Sequence, residues 1–220
     1  MSHSKTIQRI VEVGIVPVVR ATSAEEALAI VDAIQAGGVS ILEITMTVPG
    51  AIKAIEKVAD CYGDRVLLGA GTVLDPETAR AVILAGAEFI VTPSLKVATI
   101  EMCRRYSKVI IPGALTPTEV VTAWEAGSDF VKVFPCDNVG GAKYIKALKA
   151  PFPQIELIPT GGVNLSTAVD FLAAGSAALA VGSELVDKAA VARKDYSKIT
   201  ENARRFLDVV RTARSHSSVD

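Results

Sequence analysis

The strongest constraint on the fold is an alternation of short apolar segments with helical patterns along almost the whole chain. Eight such segments are rich in β-branched and aromatic residues, which strands favour. Four helical patterns end in an Ala-Gly pair just before the next segment, where glycine can adopt the left-handed conformation that ends a helix. The predicted strands are Ile15–Arg20, Ile41–Thr45, Val66–Gly71, Phe89–Thr92, Val109–Pro112, Phe130–Phe134, Ile155–Thr160 and Ala178–Gly182.

Repeated strand-helix units predict an α/β fold with a parallel sheet. Eight units are the number that closes a (β/α)₈ TIM barrel, here with an extra helix before the first strand. A doubly wound open sheet is the competing architecture, but no G-x-G-x-x-G motif follows the first strand. The composition shows no linker, so the sequence predicts a single barrel domain over residues 1–220.

Two local details of the first helices can be predicted as well. Ile7, Ile10 and Val11 are spaced to share one face of the extra helix. Ser23 and Glu26 have the spacing of a capping box for a helix over Ala24–Gln35.

The charge balance argues against a nucleic-acid partner. The formal net charge is -1, with no basic footprint or acidic tail. Lys143, Lys146 and Lys149 are spaced like the solvated face of a helix. The sequence therefore predicts no nucleic-acid binding.

The same composition predicts a soluble, cytoplasmic protein with no membrane association. Lys5, Arg9 and Glu12 interrupt the amino terminus, unlike a secretory signal. No apolar run reaches the roughly 20 residues that span a bilayer. The three cysteines show no C-x-x-C spacing, as expected of free thiols in a reducing compartment.

The two histidines, His3 and His216, both lie in the polar ends of the chain. A Ser-His-Asp triad or a histidine-ligated zinc site is therefore not expected. Proton transfer would fall to carboxylates, lysine, tyrosine or water. The sequence predicts neither a metal nor a cofactor.

Two predicted strands carry an ionisable residue at or near their centre. Lys132 lies in the middle of Phe130–Phe134, where burial would lower its pKa and favour the nucleophilic neutral amine. Glu43 alternates with Leu42 and Ile44, which places its side chain inside the predicted barrel. The alternative is a buried Glu43–Lys132 ion pair without chemistry, although such pairs add little net stability.

Glycine turns follow several predicted strands and could bind an anion. Gly69-Ala70-Gly71-Thr72 ends the third strand with a hydroxyl and backbone amides. Thr160-Gly161-Gly162 ends the seventh, and Gly182-Ser183 ends the eighth and opens a helix. Phosphate binds after strands seven and eight in many barrels of this kind. These turns therefore predict a phosphate site.

These segments together resemble the 2-keto-3-deoxy-6-phosphogluconate (KDPG)/4-hydroxy-2-oxoglutarate (KHG) aldolase family of class I aldolases. The resemblance runs from about Ile15 to the last helix. It rests on Leu42-Glu43-Ile44-Thr45, Gly69-Ala70-Gly71-Thr72-Val73, Pro112-Gly113, Phe130-Val131-Lys132-Val133-Phe134-Pro135, Pro159-Thr160-Gly161-Gly162-Val163 and Val181-Gly182-Ser183.

The resemblance implies a Schiff-base lysine at Lys132 and a general acid/base at Glu43. It further implies substrate contacts at Thr72, Pro93 and Phe134, and phosphate contacts near Gly161, Gly162 and Ser183, with Thr160 and Gly182 in the same two turns. It also implies a homotrimer.

The chain departs from the family pattern at two places. Some members carry an arginine after the second strand, where this chain has Met46-Thr47-Val48. Arg20, at the end of the first strand, is then the candidate for binding the substrate carboxylate. Thr47 or Thr72 could bind it instead. The non-functional interpretation is that Arg20 forms a surface ion pair with Glu25. Cys136 stands where a small residue is usual, and a thiol near the mouth could make activity sensitive to oxidation.

The sequence therefore predicts a lyase that needs no metal. Its substrate would be 2-keto-3-deoxy-6-phosphogluconate, a close epimer or 4-hydroxy-2-oxoglutarate, cleaved to pyruvate and glyceraldehyde 3-phosphate or glyoxylate. Two alternatives stay open: a phosphate-binding isomerase or synthase barrel with Lys132 and Glu43 as acid and base, and a catalytically silent trimeric assembly subunit.

Overall fold

The computed structural model describes residues 1–217. Residues 218–220 of the domain predicted over 1–220 lie outside the described part, as does the side chain of His216. Nine strands alternate with helices along the described chain. The strands are β1 (Ile15–Val19), β2 (Ile41–Thr45), β3 (Leu67–Gly71), β4 (Phe89–Val91), β5 (Val109–Ile111), β6 (Gly113–Ala114), β7 (Val131–Val133), β8 (Leu157–Pro159) and β9 (Leu179–Val181).

Each strand except β5 is followed by helical structure that returns the chain to the start of the next strand. The helices are α1 (His3–Val13), α2 (Ala24–Ala36), α3 (Ala51–Tyr62), α4 (Pro76–Leu84), α5 (Val97–Arg105), α6 (Pro117–Glu125), α7 (Ala142–Lys149), α8 (Ala168–Ala173), α9 (Lys188–Ala192) and α10 (Tyr196–Ser217). Helix α1 precedes the first strand, as the sequence predicts.

The strands form a curled parallel β/α structure made of two sheets. The larger sheet has the order β5-β4-β3-β2-β1-β9, and the smaller has the order β6-β7-β8. Only Pro112, which lacks a backbone N–H, separates β5 from β6. Parallel bridges between Leu157 and Ser176 and between Thr160 and Ala180 link the β8 region to the β9 region. Within each sheet the neighbouring strands are consecutive in the chain, except that β1 also pairs with β9.

The strands are buried on both faces, as expected of parallel strands covered by helices. Every residue of β1, β2 and β3 is buried, including Glu43 and Thr45. Phe89, Ile41 and Leu42 are among the largest side chains that are completely enclosed. Burial of the two polar residues of β2 in this apolar surrounding marks that strand as unusual.

The predicted strands agree with the observed ones within two residues at each end. The helix-to-strand corners also agree, with positive φ at Gly38, Gly86, Gly127 and Gly175. In the first corner the left-handed residue is Gly38, since Gly37 has a φ of -78°.

Two local predictions need correction. In α1 the buried residues are Thr6 and Ile10, while Val11 is 38% exposed, so Val11 does not share the buried face. At the start of α2, Ser23 Oγ accepts a hydrogen bond from the Glu26 amide as predicted. The Glu26 carboxylate, however, accepts from the amide and the hydroxyl of Thr22, because that residue turns its donors toward the helix end.

The amino-terminal ends of the strands carry a set of paired charges. Arg214 of α10 donates hydrogen bonds to the carbonyls of Glu12 (3.0 Å) and Ala177 (2.9 Å), and to that of Val11. Lys108 pairs with Glu88 at 2.8 Å, one residue before β5 and β4 respectively. His3 of α1 lies 3.0 Å from Asp129, which also accepts from the Ile110 amide. These contacts fasten α1 and α10 to this end of the sheet.

Candidate active site

Lys132 lies at the centre of β7, between two neighbouring strands. It is in register with Gly113 of β6 and Ile158 of β8, and its amide donates to the Pro112 carbonyl at 2.9 Å. The residue is only 6% exposed. Its Nζ atom lies 4.9 Å from the centre of the Phe134 ring, which covers the amine on the side of the strand end. The strand therefore holds this amine inside the sheet structure.

Glu43 lies at the centre of β2, in register with Val18 of β1 and Gly69 of β3. It is 1% exposed, and neither carboxylate oxygen has a hydrogen-bond partner among the described residues. A Cβ atom on Gly71 would collide with this carboxylate, so glycine at that position makes room for it. The ion pair with Lys132, which was the alternative to a catalytic role, does not form as a hydrogen-bonded contact within the described chain.

The two groups influence each other through space. Burial raises the pKa of Glu43, and the nearby charges of Lys132 and Arg20 offset part of that rise. Burial lowers the pKa of Lys132, while Glu43 opposes and Arg20 adds to that change. Both shifts favour the neutral forms. The pair thus offers a nucleophilic amine next to a carboxyl group that can give or take a proton.

A pocket of about 350 Å³ opens where strands β1, β7, β8 and β9 end. Gly161 and Gly162 have positive φ values of 98° and 72°, which turn the loop after β8 around the Asp137 side chain. Thr160 is buried, and its hydroxyl has no partner within the described residues. The predicted site residues that border this pocket are Arg20, Phe134, Thr160, Gly161, Gly162, Gly182 and Ser183.

Arg20 reaches this pocket from the end of β1. It is exposed and forms no salt bridge with any described residue. The predicted alternative partner, Glu25, lies instead 3.8 Å from Lys57. The guanidinium therefore remains available to an anion, and it borders the same space as both glycine turns.

Thr72 and Pro93 follow β3 and β4 and do not line the pocket of the glycine turns. Thr72 has a φ of 57°, a left-handed conformation that is rare and costly for a β-branched residue. Pro93 folds over β6 so closely that a side chain at Gly113 would strike its backbone. The Thr92 hydroxyl fixes this loop, accepting from the Gly113 amide (3.1 Å) and donating to the Ser94 carbonyl (2.6 Å).

Four polar residues near the site were not predicted from the sequence, and one of them, Glu184, borders the pocket of the glycine turns. Asp137 and Asn164 border the pocket of the glycine turns, and Thr92 anchors the loop that carries Pro93. Asp137 follows the Phe134-Pro135 motif by two residues, and Asn164 follows the Gly161-Gly162 turn. For Asp137 and Asn164, the position just after a predicted strand was the available signal, whereas Thr92 is the last residue of its predicted strand.

Cys136 is completely buried, and burial together with Asp137 raises the pKa of its thiol to about 12. Its Sγ atom lies 3.7 Å from the Gly141 carbonyl. A thiol in this state is a poor nucleophile, which favours a packing role over oxidation sensitivity.

Within residues 1–217, no three His, Cys, Asp or Glu side chains are grouped so that they could hold a metal ion. None of the helices in the described part of the chain is long and apolar enough to cross a membrane.

The family model described as KDPG and KHG aldolase matches residues 6–202. The chain belongs to this family. The resemblance predicted from Lys132, Glu43 and the glycine turns is therefore confirmed at the level of the family.

Named relatives match most of the chain. The 2-dehydro-3-deoxy-phosphogluconate aldolase of Haemophilus influenzae is 35% identical over 93% of this chain and 96% of its own. The 2-dehydro-3-deoxy-6-phosphogalactonate aldolase of Escherichia coli is 38% identical over 78% of this chain and 83% of its own.

A solved KDPG aldolase from Legionella pneumophila superposes with a TM-score of 0.84 at 31% identity, covering 90% of this chain and 96% of that one. It holds pyruvate captured at low pH as a covalent carbinolamine intermediate.

Proposed function

We propose that this member of the family is a class I aldolase that cleaves 2-keto-3-deoxy-6-phosphogluconate to pyruvate and glyceraldehyde 3-phosphate. The observation that carries this proposal is the buried Lys132 amine, whose pKa is lowered by burial and which interacts electrostatically with the buried Glu43. A lysine of this kind is a nucleophile for a ketone. The covalent carbinolamine in the Legionella relative supports the same chemistry.

The reaction begins when the neutral Lys132 amine adds to the C2 ketone of the substrate and forms a carbinolamine. A proton from Glu43, delivered directly or through one water, lets the hydroxyl leave as water, which gives a protonated imine. The raised pKa of Glu43 suits this proton donation because it keeps the carboxyl group protonated at higher pH than usual.

Carbon–carbon cleavage follows from the same two groups. Glu43, now a carboxylate, takes the proton of the C4 hydroxyl, the C3–C4 bond breaks, and its electrons move into the imine to form an enamine. Glyceraldehyde 3-phosphate leaves as the aldehyde product. Protonation of the enamine at C3 and hydrolysis of the imine then release pyruvate and restore Lys132.

The substrate's phosphate would bind at the turns after β8 and β9. Backbone amides of Gly161, Gly162 and Gly182 and the Ser183 hydroxyl supply donors for an anion. Arg20 borders the same pocket, so we propose it as an anion ligand at this end. The carboxylate role predicted for Arg20 stays a prediction, with Thr72 and nearby backbone amides as the alternative.

Phe134 and Thr160 line the path from Lys132 to the phosphate turns, and Thr72 and Pro93 would contact the keto-acid end. The substrate could also be the C4 epimer named in the E. coli relative, or 4-hydroxy-2-oxoglutarate. Turnover of the three compounds, compared by kcat/KM, decides which of them the enzyme prefers.

We further propose that the two sheets are one closed eight-stranded barrel forming a single domain. The support is that β5 and β6 are separated by one proline and that two bridges link the β8 and β9 regions. One cooperative thermal transition is expected. Two separate transitions would contradict a single domain.

A homotrimer in the cytoplasm is proposed on the family resemblance. Large exposed side chains such as Leu74, Leu84 and Trp124 offer apolar contact area, and three free thiols suit a reducing compartment. Light scattering coupled to gel filtration measures the assembly, and a monomer at micromolar concentration would contradict it.

The decisive experiment for the activity is reduction with borohydride in the presence of pyruvate, followed by peptide mass mapping. An adduct on Lys132 alone is expected, because Lys132 is the one buried lysine among residues 1–217. The isomerase or synthase alternative predicts no trapped imine. An adduct on a different lysine would remove the basis of the proposal.

A further inference from the structure

A second cavity, of about 370 Å³, lies beside the pocket of the glycine turns. It is formed by the loop after β1, the start of α2, and the loop and helix after β9. The two cavities share a wall made of Val18, Arg20, Gly182 and Ser183. A volume of this size is sufficient for a small organic ligand.

The side of this cavity away from the shared wall is mainly apolar. Ala21, Val186, Val191 and Ala192 supply hydrocarbon surface, and Val186 and Val191 are themselves almost fully buried. Such a lining favours the apolar part of a ligand.

The charges around the cavity favour an anion. Arg20 and Lys188 both border it, and neither forms a salt bridge with a residue of the described chain. The one carboxylate in the lining, Glu26, accepts hydrogen bonds from the Thr22 amide at 2.6 Å and the Thr22 hydroxyl at 2.9 Å. Glu26 is therefore held at the start of α2, and the two cations are left for a ligand.

The proposed aldolase reaction does not use this cavity. Phe134, Thr160 and the glycines after β8 border the first pocket and are absent from the lining of this cavity. Phe134 borders the first pocket and its ring lies 4.9 Å from the Lys132 Nζ atom, so a substrate bound to Lys132 would reach the phosphate turns through that pocket. The space beyond Arg20 and Ser183 then remains open.

We infer that this cavity binds the apolar body of an organic phosphate monoester whose phosphate lies at Arg20 and Ser183. The inference rests on the proposed phosphate site. Such a ligand points away from Lys132, so it is not cleaved, and it occupies the position of the substrate's phosphate. The enzyme is therefore inhibited competitively by phosphate esters that carry an aromatic or branched apolar group.

The test compares 1-naphthyl phosphate with inorganic phosphate by titration calorimetry on the full chain. We expect the naphthyl ester to bind at least about tenfold more tightly, because its ring enters apolar space. The discriminating variant is Ala192→Leu, which fills the cavity from an exposed helix position. Ala189→Leu is the matched control, since Ala189 is exposed on the same helix but outside the cavity.

Ala192→Leu should reduce the preference for the naphthyl ester to less than about threefold. Its affinity for inorganic phosphate and its KM for the sugar phosphate should not change, and Ala189→Leu should behave like the parent. Naphthyl inhibition of aldol cleavage should be competitive and should weaken in Ala192→Leu alone.

Equal binding of the ester and inorganic phosphate by the parent would overturn the inference and leave the phosphate site intact. A preference that persists in Ala192→Leu would also overturn it, because the ring would then lie elsewhere. Absence of binding by both compounds would remove the proposed phosphate site and this inference together, while imine trapping at Lys132 would still test the aldolase chemistry.

Discussion

Charged groups of the described chain have partners at the amino-terminal ends of the strands, whereas some of those in the interior and at the carboxyl-terminal ends lack them. At the amino-terminal ends of the strands, Arg214 donates to three backbone carbonyls, and Lys108 and His3 face Glu88 and Asp129. In the interior and at the carboxyl-terminal ends, Glu43 has no hydrogen-bond partner and Arg20 has no salt bridge within residues 1–217.

This difference indicates that the paired groups contribute to stability and the unpaired groups to catalysis. Paired groups lower the free energy of the folded state but have little capacity left to react. Buried polar groups without partners lower the stability of the fold. They also have shifted pKa values and unused hydrogen-bonding capacity that a substrate can use. We therefore expect substitutions at one end to change stability and substitutions at the other to change turnover.

The largest effect is expected for Lys132→Met. Loss of the nucleophile should lower kcat by about 10⁴-fold or more, because no other group can form the imine. The same substitution should raise the free energy of unfolding by about 1–2 kcal/mol, since methionine avoids the desolvation of an amine. Steady-state kinetics and thermal unfolding measure the two effects. A variant that loses stability along with activity would break the comparison.

The stability gain in Lys132→Met should depend on pH. The native pKa of Lys132 is lowered, so between that pKa and the pKa of the unfolded chain the unfolded state binds more protons than the native state does. Parent stability therefore rises as the pH increases toward the unfolded lysine pKa of about 10.4, and the advantage of the variant should shrink over that range. Unfolding at several pH values tests this sign.

Glu43→Gln should lower kcat by about 10²- to 10⁴-fold, the range expected when a positioned acid or base is removed. The amide keeps the shape of the side chain but cannot exchange a proton. Borohydride should still trap pyruvate on Lys132, only more slowly. Undiminished cleavage of the sugar phosphate would show that another group moves the protons.

Arg214→Ala tests the opposite end of the sheet. Removing a donor that serves three carbonyls should cost about 2–4 kcal/mol of unfolding free energy. The KM and kcat at moderate temperature should be unchanged. Arg205→Ala is the matched control, because Arg205 is exposed on the same helix and should change stability by less than about 0.5 kcal/mol. Similar losses in both variants would contradict a fastening role for Arg214.

The smallest effect is expected at the mouth of the site. Ser183→Ala should weaken binding of the phosphorylated substrate about ten- to hundredfold, the value of one hydrogen bond to a charged group. Unphosphorylated 4-hydroxy-2-oxoglutarate should be almost unaffected. Equal losses on both substrates would mean that Ser183 only shapes the loop.

The variant Arg20→Lys tests whether Arg20 binds the phosphate or the carboxylate of the substrate. If the guanidinium binds the phosphate, only phosphorylated substrates should bind more weakly. If it binds the carboxylate, pyruvate itself should lose affinity, because lysine cannot reproduce two parallel hydrogen bonds. Pyruvate and phosphate dissociation constants, measured separately, distinguish these two roles.

Much of this architecture could be predicted because it is encoded locally. An apolar segment such as Ile41–Thr45 favours an extended backbone, and a corner glycine such as Gly86 favours a positive φ. The structure shows both conformations at these positions. The family was also confirmed, because its motifs combine residue types and order. The exposed face of Val11 and the Thr22 partner of Glu26 were missed, because packing and loop direction decide them.

The sequence by itself determined the order of strands and helices, the presence of lysine and glutamate inside two of the strands, and the glycine turns after the last two. These features follow from periodicity and from the conformations that single residues allow. Only the tertiary structure decided which groups remain without partners and which cavities open beside them. Glu43 and Lys132 are 89 positions apart in the sequence numbering, and Arg20 and Ser183 are separated by 163, so their mutual placement depends on how the whole sheet curls.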